Sequence, residues 1–196
     1  MKHPGMINAI YDEDSKIFEW TENNFNKIKK IISKYPSNRK QSAVIPVLDL
    51  AQRQNNGWLT KNIIEKVAET LNMSFIRVME VASFYSMFNL KPIGKNFIQI
   101  CRTTPCWLRG SNNLLEIAKK VTGCDLGETS KDNIFTLVEV ECLGACCNAP
   151  MVQINDYYYE DLDKENFEIL LNKLKNSEKI NNGSQIGRKS SEPKRN

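Results

Sequence analysis

The residues in this sequence best suited to unusual chemistry are its cysteines. Six occur among 196 residues, and four fall into two short groups, Cys101-x₄-Cys106 and Cys142-x₃-Cys146. Each group follows a run of β-type residues, 97 to 101 (FIQIC) and 134 to 140 (IFTLVEV), so each pair is expected in a loop at the end of a strand. Neighbouring strands of one sheet bring their ends close together, and two loops far apart in sequence can then deliver four thiolates to one place. Four thiolates satisfy one tetrahedral zinc ion, or two irons bridged by two sulfides. The spacing favours a metal site without choosing the metal. It is not the paired C-x₂-C of a zinc ribbon. It also departs from plant-type ferredoxin, whose C-x₄-C continues to a third cysteine where Arg109 stands here.

What is missing narrows the chemistry further. The only histidine is His3, expected in a frayed terminus. That excludes a Ser-His or Cys-His nucleophile pair, a Cys₂His₂ finger and a Rieske centre, each of which needs an imidazole. No GxGxxG or GxxxxGK[ST] occurs, so the usual nucleotide grips are absent. The N-terminal stretch has no signal-peptide or transit-peptide pattern, and no run approaches the roughly 18 apolar residues of a membrane span. A soluble, unexported chain without direct membrane insertion is expected, and six cysteines there speak for metal binding over a disulfide framework. The 27 basic and 23 acidic residues hint at a nucleic-acid partner until the excess is located. Lys179, Arg188, Lys189, Lys194 and Arg195 against Glu192 put the whole surplus in the tail. A basic groove is not indicated, and no nucleic-acid partner is expected.

The elements that must position the cysteines change character near Lys91-Pro92-Ile93-Gly94. Before it the pattern is helical. Thr21 can cap a helix with Phe25, Ile28, Ile31, Ile32 and Tyr35 apolar, stopped by Pro36. Ser42 can cap a second with Pro46 in its first turn and Asn56-Gly57 closing it. Thr60 opens a third through Ile63, Ile64, Val67, Ala68 and Leu71, and Ser74 a fourth through Val78, Val81, Ala82 and Tyr85. Beyond the boundary come a strand at 97–101, a helix capped by Ser111, strands at 134–140 and 151–154, an Asn155-Asp156 turn, a strand at 157–159 and a closing helix at 164–174. The fold class is α+β, a helical bundle at 15–92 followed by a small α/β domain at 93–178. Residues 179–196, rich in Asn, Gly, Ser and Lys, are expected to be a disordered basic tail.

The residues around the cysteines carry a family resemblance. CRTTPCWLRGS from Cys101 and VECLGACCNAPMVQINDYYYEDL from Val140 resemble the small [2Fe-2S] subunit of the NADH-dehydrogenase module of respiratory complex I. The likeness continues through YPSNRKQSAVIPVLDLAQRQNNGW and VMEVASFYSMFNLKPIGK, so it spans roughly residues 20 to 175. It implies a thioredoxin-like [2Fe-2S] ferredoxin domain behind the helical domain, with one [2Fe-2S] cluster on Cys101, Cys106, Cys142 and Cys146. It also implies an electron-transfer subunit of an NADH:quinone oxidoreductase that has no catalytic residues and no activity alone. FMN and NADH would stay on a partner subunit, a further iron-sulfur subunit would accompany it, and the helical domain would dock.

Two other assignments remain beside that one: the equivalent subunit of an NAD-linked hydrogenase or formate dehydrogenase, and a Cys₄ zinc-stabilised interaction module. The resemblance places the chain in the cytoplasm, peripheral on the inner face of a bacterial membrane, or on the matrix side if organellar. The backbones of Arg102 to Thr104 and Leu143 to Ala145 are the expected N–H donors to the cluster, with the Arg102 and Arg109 side chains solvated or facing a partner. Trp107 and Tyr157 to Tyr159 are divided between core and interface. Ala149-Pro150 is expected to be cis, and Cys124 a small buried hydrophobe. The family has one cysteine where this chain has Cys146-Cys147. Cys146 matches the ligand, and Cys147 is expected to be buried under the turn that follows.

Overall fold

The computed structural model describes residues 17–192. His3, residues 15 and 16 of the expected helical domain and residues 193–196 of the tail lie outside the described residues. The chain divides into two compact units between Pro92 and Ile93.

The first unit is built from α1 (Glu22–Ile32), α2 (Val44–Gln54), α3 (Lys61–Leu71) and α4 (Phe75–Phe84). Thr21 and Thr60 cap α1 and α3, their hydroxyls accepting from the N–H groups of Asn24 and Ile63, donors that a helix start otherwise leaves free. On α3 the whole stripe Ile63, Ile64, Val67, Ala68 and Leu71 is buried. On α1 it is less complete, because Phe25 stands 44% exposed with the Lys29 ammonium 4.5 Å over its ring. α2 begins at Val44, later than a Ser42 cap predicts, and residues 37–43 wind as a 3₁₀ helix instead. Pro46 supplies the reason. A helix capped at Ser42 would need a Pro46 N–H to reach the Ser42 carbonyl, whereas a start at Val44 puts Pro46 where no partner is required. The segment after α4 is tied down by the Gln52 amide, which donates to the Met87 carbonyl and accepts from the Asn89 N–H.

The second unit is a six-stranded mixed sheet of β1 (Asn96–Cys101), β2 (Glu128–Thr129), β3 (Phe135–Val140), β4 (Val152–Ile154), β5 (Tyr157–Glu160) and β6 (Gly183–Ser184), ordered β2-β3-β1-β4-β5-β6. The β1/β3 and β5/β6 pairs are parallel and the rest antiparallel. Three helices complete it: α5 (Thr104–Leu108), α6 (Ser111–Thr122) and α7 (Lys164–Lys175). α6 belongs to the crossover that a parallel β1/β3 pair requires and packs on both strands and on α7. Ile98, Ile100, Leu114, Leu137, Val152 and Phe167 form the middle of this core. Chain entry into β1 needs a glycine, since a Cβ on Gly94 would lie 2.7 Å from the Phe135 backbone. α6 is capped by Gly110, not Ser111. At φ 98° Gly110 turns the chain from α5 straight into α6, leaving Ser111 as a buried first helical residue.

The expectation of a disordered tail fails over residues 179–192. Residues 183–184 add β6 to the sheet edge beside β5, and Arg188 lies 2.6 Å from Asp161 with its side chain only 8% exposed. Composition underrates such a segment, because an existing sheet edge and a buried counter-charge supply the order that apolar periodicity would otherwise have to provide.

Candidate metal centre

β1 and β3 run parallel with Cys101 opposite Val140, so both chains leave the sheet at the same end. One continues into α5, which carries Cys106. The other enters a loop with Cys142 and then a 3₁₀ turn, Cys146–Asn148. The expected pair of loops is therefore corrected: Cys101 ends a strand, Cys106 lies within a helix, Cys146 opens a turn and only Cys142 sits in irregular chain. Pro105, in the first turn of α5, suits a helix start, but five residues are too few to show a helical period in sequence. A third strand closes in from the side. The Ala149–Pro150 bond is cis, as expected, and leads through Met151 into β4, antiparallel to β1.

The four sulfurs gather as two pairs. Cys142 Sγ lies 3.5 Å from Cys146 Sγ and accepts from the Gly144 N–H at 3.4 Å. Gly144 has φ 83°, a conformation glycine adopts without steric cost. Cys101 Sγ lies 3.4 Å from the Thr103 hydroxyl. Cys101 and Cys106 pack with Ala149 and Met151 in a small core flanked by Leu143, Ala145 and Tyr158. Cys142 and Cys146, by contrast, are exposed.

Each pair divides into one thiol that gives up its proton readily and one that keeps it. Burial pushes Cys101 up, but hydrogen bonds from the Thr103 hydroxyl, the Thr103 and Leu143 N–H groups and the Cys106 thiol outweigh it, and the net shift is down. Cys106 is pushed up to about 12 by burial, then by donating to Cys101, with the Met151 N–H opposing. The Gly144 N–H, the Cys146 thiol and the Thr103 hydroxyl lower Cys142. Cys146 is raised, first by donating to Cys142. Thr103 thus serves sulfurs of both pairs. Among the described residues no three Cys, His, Asp or Glu side chains close on a single ion. Two sulfur pairs, met by the Thr103, Leu143, Gly144 and Met151 N–H groups, fit the two tetrahedral irons of a [2Fe-2S] cluster.

Several neighbours differ from expectation. Arg102 is not solvated: its guanidinium is partly buried 3.4 Å from Glu139, and its N–H bonds the Val140 carbonyl instead of a sulfur. Arg109 is exposed. Cys147 is exposed, not buried under the turn: the next three residues, Asn148, Ala149 and Pro150, are the buried ones, and the Cys147 carbonyl accepts from Arg188. Cys124 is buried in the sheet core as expected, and of the aromatic residues Tyr159 is buried while Trp107 and Tyr157 are exposed. Residues missed in the sequence are the Thr103 hydroxyl, the Met151 N–H, Arg188 and Tyr158, whose hydroxyl donates to the Leu143 carbonyl at 2.7 Å. Thr103, Met151 and Tyr158 lie inside the quoted motifs and were open to recognition, whereas Arg188 lies beyond them.

A mixed sheet whose central parallel pair delivers four cysteines to one end, beside a cis-proline, defines the class of thioredoxin-like iron-sulfur domains. The family model for the thioredoxin-like [2Fe-2S] ferredoxin matches residues 28–175. The chain is 55% identical over 159 residues to the E subunit of NADH-quinone oxidoreductase from Rickettsia bellii (strain RML369-C), covering 81% of this chain and 95% of that one. It is 51% identical over 175 residues to NADH dehydrogenase [ubiquinone] flavoprotein 2, mitochondrial, of Dictyostelium discoideum, covering 89% of this chain and 71% of that one. The chain belongs to the thioredoxin-like [2Fe-2S] ferredoxin family, in the group of the complex I E subunits, and its cofactor is a [2Fe-2S] cluster. A solved NAD⁺-reducing [NiFe]-hydrogenase in the air-oxidised state resembles it with a TM-score of 0.59 at 19% identity, over 66% of this chain and 23% of that one, a likeness of fold alone. Among the described residues no helix is long and apolar enough to cross a membrane.

Proposed function

We propose that Cys101, Cys106, Cys142 and Cys146 hold the [2Fe-2S] cluster and that the chain is the electron-transfer subunit of an NADH:quinone oxidoreductase, exchanging electrons with the FMN of a partner subunit. The observation that carries this reading is the convergence of two cysteine pairs at the shared end of β1 and β3. When bound, such a cluster takes up and gives back one electron at a time. The chain's own part is to supply four thiolates, to aim the Thr103, Leu143, Gly144 and Met151 N–H groups at their sulfurs, and to keep water from Cys101 and Cys106. Those donors favour the more negative, reduced state. FMN and NADH stay on the partner, with a further iron-sulfur subunit beyond it. The helical unit docks, and the chain is held on the cytoplasmic or matrix side of the membrane through the complex. The 55% identity to an E subunit of NADH-quinone oxidoreductase favours this complex over a hydrogenase or formate dehydrogenase.

The intact chain tests the reading. Purified protein should be brown, carry iron and acid-labile sulfide in about equal amounts, bleach on reduction and give a half-integer spin EPR signal. It should bind neither NADH nor FMN alone, and should accept electrons from NADH only when the flavin subunit is added. Colourless protein with stoichiometric zinc would replace the cluster with a structural Cys₄ site.

A further inference from the structure

The segment after α7 reaches back to the metal centre. Arg188 donates from Nε and Nη2 to the two carboxylate oxygens of Asp161, at 2.9 and 2.6 Å. The same Nη2 is shared with Asn148 Oδ1 at 2.7 Å and with the Cys147 carbonyl at 3.0 Å, while Nη1 donates to the Glu192 carbonyl. Asn148 closes the circuit by donating from Nδ2 to the Ser190 carbonyl at 2.7 Å, and Ser184 donates to Asp161 at 2.7 Å. The Arg188 side chain is 8% exposed and the Asp161 side chain 0%. One guanidinium therefore joins three stretches of chain: the end of β5, the C-terminal segment and the turn that begins with Cys146.

We propose that Arg188 is a positioning residue for the metal centre. The C-terminal segment is a latch that fixes the Cys146–Asn148 turn through Arg188 and keeps a permanent positive charge beside it. The inference rests on the ligand set proposed above. Cys142 and Cys146 are exposed, so burial does not hold them as it holds Cys101 and Cys106. A planar fork that never loses its proton suits that task, since it fixes direction as well as distance and its charge does not titrate. An arginine that merely anchored a tail would need only Asp161. Here the guanidinium also takes the carbonyl next to a proposed ligand and the side chain that follows it.

The test uses the full chain with Arg188→Met and Arg188→Lys. Iron and sulfide content, iron release to a chelator, reduced-state EPR and midpoint potential are read beside circular dichroism. In a folded chain, Arg188→Met should release iron roughly 10-fold faster, the lower end of effects from outer partners of metal ligands. It should also change the EPR line shape and lower the midpoint potential, because reduction adds negative charge where a cation has been removed. Arg188→Lys keeps the charge without the fork, so it should recover the potential and not the release rate. If Arg188→Met unfolds because Asp161 has lost its counter-charge, the double variant Asp161→Asn with Arg188→Met buries no charge: it should keep the faster iron release and the altered EPR, with a midpoint potential near that of the parent because cation and carboxylate have gone together. A folded variant with wild-type release, EPR and potential would overturn the latch while leaving the ligand set intact. An unaltered chain without iron would overturn both.

Discussion

Of the two cysteine pairs, one is built into the fold and the other is suspended from it. Cys101 and Cys106 are each 1% exposed, on a strand held by ladders on both sides and on a helix packed against α6. Cys142 and Cys146 are exposed, on a stretch secured by polar contacts: the Tyr158 hydroxyl on the Leu143 carbonyl, and Arg188 on the Cys147 carbonyl and the Asn148 side chain. The contrast separates two ways of placing a ligand. Core packing preorganises the first pair, which lowers the ordering cost of binding under the proposed ligand set, and a loop would let the second pair close on the cluster.

The largest effects should come from deleting a sulfur of the built-in pair. Cys106→Ala should reduce iron and sulfide to background, since the other buried thiol, Cys124, belongs to the separate sheet core. Cys146→Ala should behave differently, because Cys147 is the next residue and is exposed. A cluster with altered EPR and part of the iron is expected. Equal loss in both variants would erase the asymmetry.

A smaller effect appears with pH in the iron-free chain. Cys106 keeps its proton up to about 12 in the fold, against a reference of 9.0. Between about pH 9 and 12 the folded chain then binds more protons than the unfolded one, so stability falls as pH rises through that window. Tyr159, raised by burial and then by Tyr157, acts in the same direction. Cys101, lowered, has the opposite sign: its contribution is present above the reference value and is lost as pH falls through its folded pKa. Thermal midpoints measured from pH 9 upward should fall for the parent chain and fall less for Cys106→Ala. Alkylation near neutral pH should mark Cys142 first, being lowered and exposed, and Cys106 last.

Tyr158→Phe probes what secures the suspended pair. The hydroxyl bonds the Leu143 carbonyl, and its loss should cost about 1 kcal/mol in urea unfolding. Hydrogen exchange should quicken at residues 142–146 and stay unchanged in β1. Faster exchange in both places would mean that the two halves of the site open together.

The same contrast marks what could be read from the sequence. The built-in elements announce themselves: the stripe on α3, the strands at 96–101 and 135–140 and the closing helix follow apolar periodicity. Elements secured by a few polar contacts stay silent. α5 is too short for a period, and β2 and β6 have two residues each. The Arg188–Asp161 pair joins residues 27 apart through a buried charge, in a segment whose composition resembles linker. The α2 start was legible in principle, because Pro46 forbids the cap that Ser42 offers.

The smallest expected effect is the sharpest test of which thiol belongs to the suspended pair. The Cys147 side chain is exposed, and the atom of this residue that is engaged is its carbonyl, which Arg188 bonds and which alanine retains. Cys147→Ala should therefore leave iron, sulfide and EPR unchanged and alter stability by no more than about 0.5 kcal/mol, as for an ordinary surface substitution. The same substitution made in the Cys146→Ala background should abolish the altered cluster, because it removes the adjacent thiol able to replace the missing one. Silent alone and decisive in combination is the pattern of a bystander next to a ligand. A cluster lost in Cys147→Ala and preserved unaltered in Cys146→Ala would reverse the two assignments, and would place the ligand on the residue whose backbone Arg188 holds directly.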